Sequence, residues 1–517
     1  MNKKNIITTL LALATITGHA QESFFRTDSA VIKGRIEGYS RTMGFQNIAT
    51  QMPNIFTGEL KTTTVEILDN GTFEKHLLLH HPILNWFYTN EVYIGEQQIP
   101  FYLCPGDTLD ITICFHDGNI PNCEYRGGHS AEVARLLKVR NDQLSILNAL
   151  SLFKGDIEAY NLFANSLYTT WQRKIDAIAE AHHFTSFERR LAQCDLATVF
   201  GAYYFSYFSQ IQDHMALEDP SAPYTAGNTM MERLSLPENY PLLRRLPNND
   251  SLILATKFFY LYLNELKFSA PLRYPLFVKR GITWGSSKDE VMEQLLLICD
   301  TKRKLFDSEN DVLPLQLAQL HCINEVISDW LEAGTAEENF QLVQSFLTHP
   351  TLLKKAQQLF DEQVNMDATF PLPEGEASNF LKEILAQNPN RYIILDFWAM
   401  WCSPCKAQLI LTKDFRHHLH ERSDIKFVFL ANERYPGRED YLKFVRENLE
   451  EEINVAIDDN RFHQLQELLG FNSIPFSVTL TPDGRIVRNG LRLQDAEVGY
   501  DKFILMLEEL KATLNIQ

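Results

Sequence analysis

The sequence is poor in positive charge, in long apolar runs and in closely spaced cysteines. Lys and Arg number 48 against 66 Asp and Glu, and the formal net charge of −18 argues against nucleic acid and anionic lipid surfaces as main partners. High solubility is the simpler meaning of this acidity. The chain has no internal repeat of fixed period and no low-complexity tract. The overall composition, with 45% hydrophobic and 22% charged residues, is that of a globular protein.

The N-terminus has the pattern of an export signal. Lys3 and Lys4 precede an apolar stretch, Ile6–Ile16, and Gly18–Ala20 forms a small-residue cleavage site. The apolar stretch is too short to span a bilayer, so no stable membrane span is expected, and a buried N-terminal strand is the alternative. Because no cysteine lies directly after the cleavage site, lipoprotein anchoring is not supported. We therefore expect residues 1–20 to be a cleaved signal peptide and the mature protein to occupy the oxidising periplasm or cell envelope.

A length of 517 residues is too great for one hydrophobic core and predicts two to four domains. Residues 24–128 predict a small antiparallel β-sandwich, because short alternating runs are separated by turns. The predicted strands are Ala30–Ile36, Thr62–Leu68, Phe73–Leu79 and Thr108–Ile113. The middle two flank a turn at Asp69–Thr72. No catalytic constellation appears here, so this region is either a docking module or a purely structural one.

Residues 130–368 predict an all-helical domain, because apolar residues recur at three- and four-residue spacing. The predicted helices include Ala131–Leu150, Asp156–His182 and Val291–Leu305. Two aromatic runs, Tyr203–Phe208 and Phe258–Tyr262, supply either the domain core or a groove for an unfolded or peptide partner. The two prolines and the glycine of Phe370–Gly375 cannot continue a helix and mark the boundary to a last domain, residues 370–517.

Two cysteines three positions apart, Cys402 and Cys405, give the strongest chemical signal in the chain. They follow an apolar, β-prone run, Tyr392–Trp398, and precede a helix-like stretch, Lys406–Leu419. At the N-terminus of a helix, unpaired backbone N–H groups and the positive dipole end favour the thiolate of Cys402, the expected nucleophile. One turn later, Cys405 is placed to resolve a disulfide formed on Cys402. The pattern predicts a redox-active dithiol.

These residues resemble the thioredoxin superfamily, and within it the TlpA/ResA-type thiol-disulfide oxidoreductases of the bacterial cell envelope. Trp401–Lys406 matches the active-site pattern, and Asp396 falls six residues before Cys402, where thioredoxins keep a buried acid. Gly470–Pro475 matches the cis-proline element that precedes a strand. The resemblance covers residues 370–517 and implies an α/β thioredoxin-like fold with one helix–strand step more than the minimal form.

Secondary structure follows from the same stretch. The predicted strands are Ile425–Leu430, Ile453–Ile457, Phe476–Leu480 and Arg485–Arg488, and the predicted helices are Ala377–Gln387, Arg438–Leu449 and Phe462–Leu469.

Two positions depart from the family pattern. Ile410 replaces a kinking proline, which predicts a straighter active-site helix, and Gln408 replaces a frequent glutamate, which leaves local proton handling open.

The resemblance implies roles for the residues around the cysteines. Asp396, in an apolar strand beneath the site, would have a pKa raised by desolvation and would take the proton from Cys405, unless it is a solvated carboxylate at the strand end. Pro475 would be cis, and Ile474 would offer its backbone groups to an extended substrate, unless this is an ordinary bend. Trp401 would shield one side of the disulfide or serve only in packing.

A zinc site is the rival interpretation of the cysteine pair. His417, His418 and His420 follow Cys405 and imitate the opening of a zinc finger, but His420 comes too soon after His418 for the required spacing. We therefore expect no metal and no cofactor.

The other cysteines of the chain are expected to be buried thiols that behave as small hydrophobes, although some could pair. These are Cys104, Cys114, Cys123, Cys194, Cys299 and Cys322.

The sequence thus predicts an exported three-part protein with an N-terminal β-sandwich, a central all-α domain and a C-terminal α/β thioredoxin-like domain. Its expected activity is thiol-disulfide exchange in the reducing direction, because TlpA/ResA-type proteins are usually reductases that need an electron donor. The expected partners are disulfide-bearing envelope proteins and an upstream thiol donor. The alternative is a non-catalytic binding or scaffold protein that carries a thioredoxin-like domain.

Overall fold

A computed structural model describes residues 24–88, 99–115, 122–127, 143–219, 221–275, 288–306, 312–332, 334–432 and 438–515. The predicted signal peptide, 1–20, and residues 131–142 of the predicted helix Ala131–Leu150 lie outside the described residues. Strands come first along the chain, helices next and a mixed α/β unit last, in agreement with the predicted fold class. Among the described helices, none is both long and apolar enough to cross a membrane.

The N-terminal region is built from strands. They are β1 (Asp28–Ile36), β2 (Asn47–Pro53), β3 (Leu60–Glu66), β4 (Thr72–Leu79), β5 (Ile83–Phe87), β6 (Ile99–Leu103), β7 (Thr108–Cys114) and β8 (Asn122–Arg126). One sheet has the order β4-β1-β7-β8, and β2–β3 and β5–β6 form two further ladders. Buried side chains from the sheet and from both ladders, such as Ile32, Val65 and Phe101, share one core, which makes the region sandwich-like.

Two pairings in this region differ from the expectation. Strand β1 runs parallel to β7, so the sheet is mixed rather than antiparallel. The strands on either side of the Asp69–Thr72 turn do not form a hairpin, because β3 pairs with β2 and β4 pairs with β1. An isolated bridge between Ile67 and Phe73 joins the two sides of the turn. Alternation in a sequence identifies the buried face of a strand but not its neighbour in the sheet.

The central region is helical. Its helices are α1 (Gln143–Ser151), α2 (Ile157–Ala181), α3 (Ser186–Tyr204), α4 (Ser206–Glu218), α5 (Thr229–Leu234), α6 (Phe259–Phe268), α7 (Ala270–Arg273), α8 (Lys288–Phe306), α9 (Leu313–Glu332), α10 (Ala336–Ser345) and α11 (Pro350–Val364). Tyr204, Phe208 and Tyr262 are buried, so the aromatic runs supply the core, and the groove interpretation of these side chains is wrong. Leu84 and Tyr102 of the strand-rich region pack into the same core.

The C-terminal region is an α/β unit. It contains β9 (Thr369–Pro371), α12 (Glu376–Gln387), β10 (Tyr392–Ala399), α13 (Ser403–Leu411), α14 (Lys413–Leu419), β11 (Ile425–Asn432), α15 (Arg438–Asn448), β12 (Ile453–Ile457), α16 (Asp459–Leu469), β13 (Phe476–Leu480), β14 (Arg485–Val487) and α17 (Tyr500–Asn515). The sheet order is β12-β11-β10-β13-β14-β9. Strands β10, β11 and β12 are parallel, and the pairs from β10 through β13 and β14 to β9 are antiparallel.

The first residues of this unit form a short strand. Phe370 and Pro371 belong to the edge strand β9 and pair with Ile486 and Arg485 of β14. A proline is tolerated on an edge strand, where its missing N–H interrupts no ladder on the outer side. The boundary pattern was therefore identified correctly as unable to form a helix, but its strand character was missed.

Strand β10 lies inside the sheet and presents a different core on each face. Leu395 and Phe397 pack with α12 and α16 on one face, and Ile394 and Trp398 pack with α13, α14 and α17 on the other. Since side chains alternate along a strand, Asp396 shares the face of Ile394 and Trp398. The core on that face also contains both cysteines of the predicted redox pair.

Candidate active site

Cys402 and Cys405 are joined by a disulfide bond, with Cα atoms 5.3 Å apart. Cys402 is the N-cap of α13, and its Sγ accepts a hydrogen bond from the backbone N–H of Cys405 at 3.2 Å. The helix start therefore directs an N–H group and the positive end of its dipole at this sulfur. Both cysteines are almost fully buried, at 3% and 1% exposed, whereas the neighbouring Trp401 is 47% exposed. The sulfurs thus lie just below a surface at which an aromatic ring is available.

Asp396 lies on β10 before the cysteine-bearing turn. It is 1% exposed, and desolvation raises the pKa of its carboxyl group to about 7. Two interactions act in the opposite direction: the Ser477 hydroxyl donates a hydrogen bond to Oδ2 at 2.6 Å, and the charge of Arg416 favours the anion. The expected raised pKa is present, and the solvated-carboxylate alternative is wrong. A carboxyl group with a pKa near neutrality can exchange a proton with a thiol.

Ser477 is a site residue that sequence reasoning missed. It pairs directly with Asp396 across β13 and β10, and its Oγ accepts the backbone N–H of Leu493 at 3.2 Å. The Ser477 hydroxyl therefore accepts a hydrogen bond from the Leu493 N–H and donates its own proton to Asp396 Oδ2. The position of Ser477 was visible in the sequence, because it lies two residues after Pro475 at the start of a predicted strand. Its pairing with Asp396 was not, because that depends on the register of β13 against β10.

The Ile474–Pro475 peptide bond is cis, as expected. Strand β13 begins immediately after it, and Phe476 pairs with Phe397 near the carboxyl end of β10. This register places the proline at the same end of the sheet as the cysteines. Ile474 packs against the core cluster that contains both sulfurs, and Pro475 is exposed. The structure therefore brings together the two cysteines, the buried acid and the cis-proline loop, with Trp401 at their edge.

The active-site helix is interrupted rather than straight. It ends at Leu411, and α14 begins at Lys413, so the expectation drawn from Ile410 is wrong. The side chain of Arg416 explains the break, because its Nη1 donates to the backbone carbonyl of Leu409 at 2.9 Å and to Thr412 Oγ1 at 2.6 Å. A guanidinium group thus satisfies a carbonyl that a helix end leaves without an intrahelical partner.

The histidines of the zinc alternative make other contacts. His417 Nδ1 is 2.7 Å from Glu451, His418 Nδ1 is 2.6 Å from the backbone carbonyl of Asp414, and His420 Nδ1 is 3.0 Å from Lys426 Nζ. Within the described ranges, no three side chains of metal-ligating type form a group that could hold an ion.

The other cysteines differ from the redox pair in burial and in bonding. Cys194 is buried as expected, but Cys104, Cys114, Cys123 and Cys299 are only half-buried, and the side chain of Cys322 lies outside the described residues. A hydrogen bond to Glu37 raises the pKa of Cys114, and burial raises the pKa of Cys123 to about 11. Thiols with raised pKa are weak nucleophiles at neutral pH.

Comparison with known families identifies the last domain. Residues 390–486 match the family model described as thioredoxin-like, and this segment holds the cysteine pair, Asp396 and the cis-proline element. The chain therefore carries a thioredoxin-like domain at its C-terminal end. No curated protein matches the chain.

Three solved structures are similar to parts of the chain. The thioredoxin domain of a thiol-disulfide oxidoreductase from Bacteroides vulgatus is 21% identical, with 23% of this chain and 83% of that chain covered and a TM-score of 0.20. StoA from Bacillus subtilis is 24% identical, with 20% and 75% covered and a TM-score of 0.17. A thioredoxin-like protein from Bacteroides caccae is 14% identical, with 58% and 91% covered and a TM-score of 0.22.

Proposed function

We propose that the protein is a thiol-disulfide oxidoreductase that uses Cys402 and Cys405 as its dithiol. The observation that carries this proposal is the joined pair at the N-terminus of α13, on the same face of the sheet as a buried carboxyl group whose pKa is raised to about 7. A helix N-terminus stabilises a thiolate, and a group that titrates near neutrality suits proton transfer. A purely structural disulfide requires neither feature.

In this proposal, thiol-disulfide exchange with a client protein takes two steps. In the reduced protein, the Cys402 thiolate attacks one sulfur of a client disulfide, so a mixed disulfide forms and the other client sulfur leaves as a thiolate. Cys405 then gives its proton to Asp396 and attacks Cys402 Sγ. The Cys402–Cys405 disulfide forms, and the second client sulfur is released. Two electrons pass to the client, and an upstream dithiol donor must return them before the next turnover.

The cis-proline loop supplies the binding surface in this proposal. Pro475 is exposed and Ile474 packs beside the core that holds the sulfurs, so an extended client segment can lie along the loop. Trp401, which is 47% exposed, offers an aromatic surface next to the bond that exchanges. We infer disulfide-bearing envelope proteins as clients, because the N-terminal sequence has the export pattern and structural disulfides persist in oxidising compartments.

Cysteine replacement tests the assigned roles. Cys402→Ser should abolish disulfide reductase activity, whereas Cys405→Ser should accumulate mixed disulfides, because the resolving thiol is gone. Insulin reduction measures turnover, and non-reducing electrophoresis followed by mass spectrometry detects the trapped clients. Cys114→Ser is the matched control and should retain full activity. Full turnover in either active-site variant would refute these roles.

The direction of exchange is tested separately by the reduction potential of the pair. We propose the reducing direction, for which the potential should lie near that of thioredoxin, about −270 mV. Equilibration with a glutathione or dithiothreitol redox series measures it. A potential near that of a strong oxidant, about −120 mV, would reverse the assignment to oxidase.

A further inference from the structure

Helix α16 of the thioredoxin-like domain lies against the β2–β3 hairpin of the N-terminal region. Near its end, Glu467 accepts hydrogen bonds from the backbone N–H of Thr64 at 3.0 Å and from Lys75 Nζ at 2.7 Å. At its start, Asn460 Oδ1 accepts the backbone N–H of Gln46 at 3.0 Å. Residues distant in sequence are thus bonded at both ends of one helix, so the contact fixes the helix direction relative to the hairpin.

The contact excludes water along the middle of the helix. Thr62 and Thr64 of β3 are buried, and so are His463 and Gln466 of α16. The alternation of β3 places both threonines on the strand face opposite Val65, which belongs to the core of the N-terminal region. One face of the hairpin therefore serves the sandwich core, and the other face serves the thioredoxin-like domain.

The hairpin also reaches the loop that follows α16. The helix ends at Leu469 and is capped by Gly470, which has a positive φ of 73°. Phe471 is buried, with its ring 4.2 Å from that of Phe476. The next residue, Asn472, points the other way, and its Nδ2 donates to the backbone carbonyl of Leu60 at 2.9 Å. Leu60 is the first residue of β3. The loop is thus held by a side chain on each side, just before Ile474 and the cis bond.

We propose that the β2–β3 hairpin is the support that sets the position of the substrate-binding loop, with Asn472 as the positioning residue. This inference rests on the proposed function of Ile474 as the backbone partner of an extended client. A loop fixed before the client arrives loses less conformational freedom on binding. The support should therefore matter for polypeptide disulfides, which need the loop, and not for small disulfides, which need only Cys402.

Two variants of the full chain test the support. Asn472→Ala removes the donor to Leu60, and Asn472→Asp removes it while keeping the side-chain shape. Each should raise the KM for insulin by roughly fivefold, the factor typical of one neutral hydrogen bond, and leave the rate with glutathione disulfide unchanged. Amide hydrogen exchange of the segment 470–476 should become faster in both variants, whatever their activity.

Asn460→Ala is the matched control, because it removes an interdomain hydrogen bond between an asparagine side chain and the backbone at the far end of α16, one in which the side chain accepts rather than donates. It should leave the exchange of segment 470–476 and both activities as in the wild type. Unchanged exchange in the two Asn472 variants would overturn the proposal, and so would an equal loss of rate with both disulfides. If the wild-type protein reduced neither disulfide, the proposed function would fail. Amide hydrogen exchange of segment 470–476 would still show whether the hairpin fixes the loop.

Discussion

At the scale of single residues, the protonation of Asp396 couples stability to chemistry. Its pKa rises from an ordinary 3.8 to about 7 in the folded protein because the carboxyl group is desolvated. Between these two pH values the folded state keeps a proton that the unfolded state has lost. Folding stability must therefore decrease as the pH rises from about 4 to about 7, since the unfolded state then binds fewer protons.

Asp396→Asn should remove this dependence. The variant should gain stability relative to wild type as the pH is raised from about 4 to about 7, by up to about 4 kcal/mol, because a neutral amide replaces a carboxyl group that must ionise without water. Native-state hydrogen exchange of the β10 amides, with both proteins compared at each pH, measures the difference. The exposed Asp414 provides the control Asp414→Asn. A difference that did not vary with pH would contradict the assignment.

Ser477 should set the midpoint of that pH dependence. Its hydroxyl donates to Asp396 Oδ2 at 2.6 Å and favours the anion. Ser477→Ala should therefore move the midpoint to higher pH by up to about one unit, the equivalent of one hydrogen bond. Ser477→Thr keeps the hydroxyl and should restore the wild-type midpoint in the same exchange series. A shift produced equally by both substitutions would point to packing rather than to the hydrogen bond.

At the scale of elements, the break between α13 and α14 depends on one buried cation. The Arg416 side chain is 1% exposed, and it donates to Glu452 Oε1 at 3.1 Å and to the backbone carbonyl of Asn448 at 2.7 Å. Burial lowers the pKa of this guanidinium, and the Glu452 carboxylate opposes that effect. The active-site helix, the helix after it and the chain before β12 are therefore held together at one side chain.

Arg416→Leu should destabilise the thioredoxin-like domain by about 3–5 kcal/mol, because it leaves Glu452 buried without this partner. The double variant Arg416→Leu with Glu452→Leu should recover part of the loss, since it also removes the buried carboxylate. In the single variant this carboxylate keeps His420 at 3.3 Å and Lys426 at 3.9 Å beside it. Thermal unfolding of both variants provides the comparison. Equal stabilities for the single and double variants would show that the ion pair is not what holds the break.

Sequence predicted the parts of the redox site that depend on neighbours along the chain. Strand β10 and the start of α13 after Cys402 follow local patterns, the cis peptide before Pro475 follows from the family resemblance, and the structure has all three. The break at Thr412 could not be found in this way, because it depends on Arg416 and on the chain around Glu452. The pairing of β3 with β2, and the strand character of β9, were missed for the same reason: each depends on a distant partner.

At the scale of the whole molecule, the strand-rich region contacts both of the other parts. Leu84 and Tyr102 belong to the core of the helical region, and the β2–β3 hairpin receives α16. The two contacts differ in chemistry. The first shares an apolar core, with polar contacts such as that of His321 Nε2 to the backbone carbonyl of Ile55 at 2.8 Å, whereas the second is made by threonines, amides and an ion pair. A polar interface of this kind is typical of units that pack after each has its own core.

Glu467→Ala should loosen the contact with the thioredoxin-like domain while both sides stay folded. The substitution leaves the backbone N–H of Thr64 without its acceptor, which typically costs about 1–3 kcal/mol for a buried group. The salt bridge to Lys75 adds less, because both side chains are about 30% exposed. Hydrogen exchange should accelerate in β3 and α16 but not in β10. Gln464→Ala, on the same helix, is the control, and equal acceleration there would argue against a specific role for Glu467.

Strand β9 has a practical consequence for anyone who isolates the redox domain. The strand comes directly after the helical region, yet Thr369–Pro371 completes the outer edge of the thioredoxin-like sheet by pairing with β14. A recombinant fragment that began at Glu376 would keep every helix of the domain but bare the backbone of β14. Uncovered edges recruit other chains, so that fragment should self-associate, whereas one starting upstream of Thr369 should remain monodisperse.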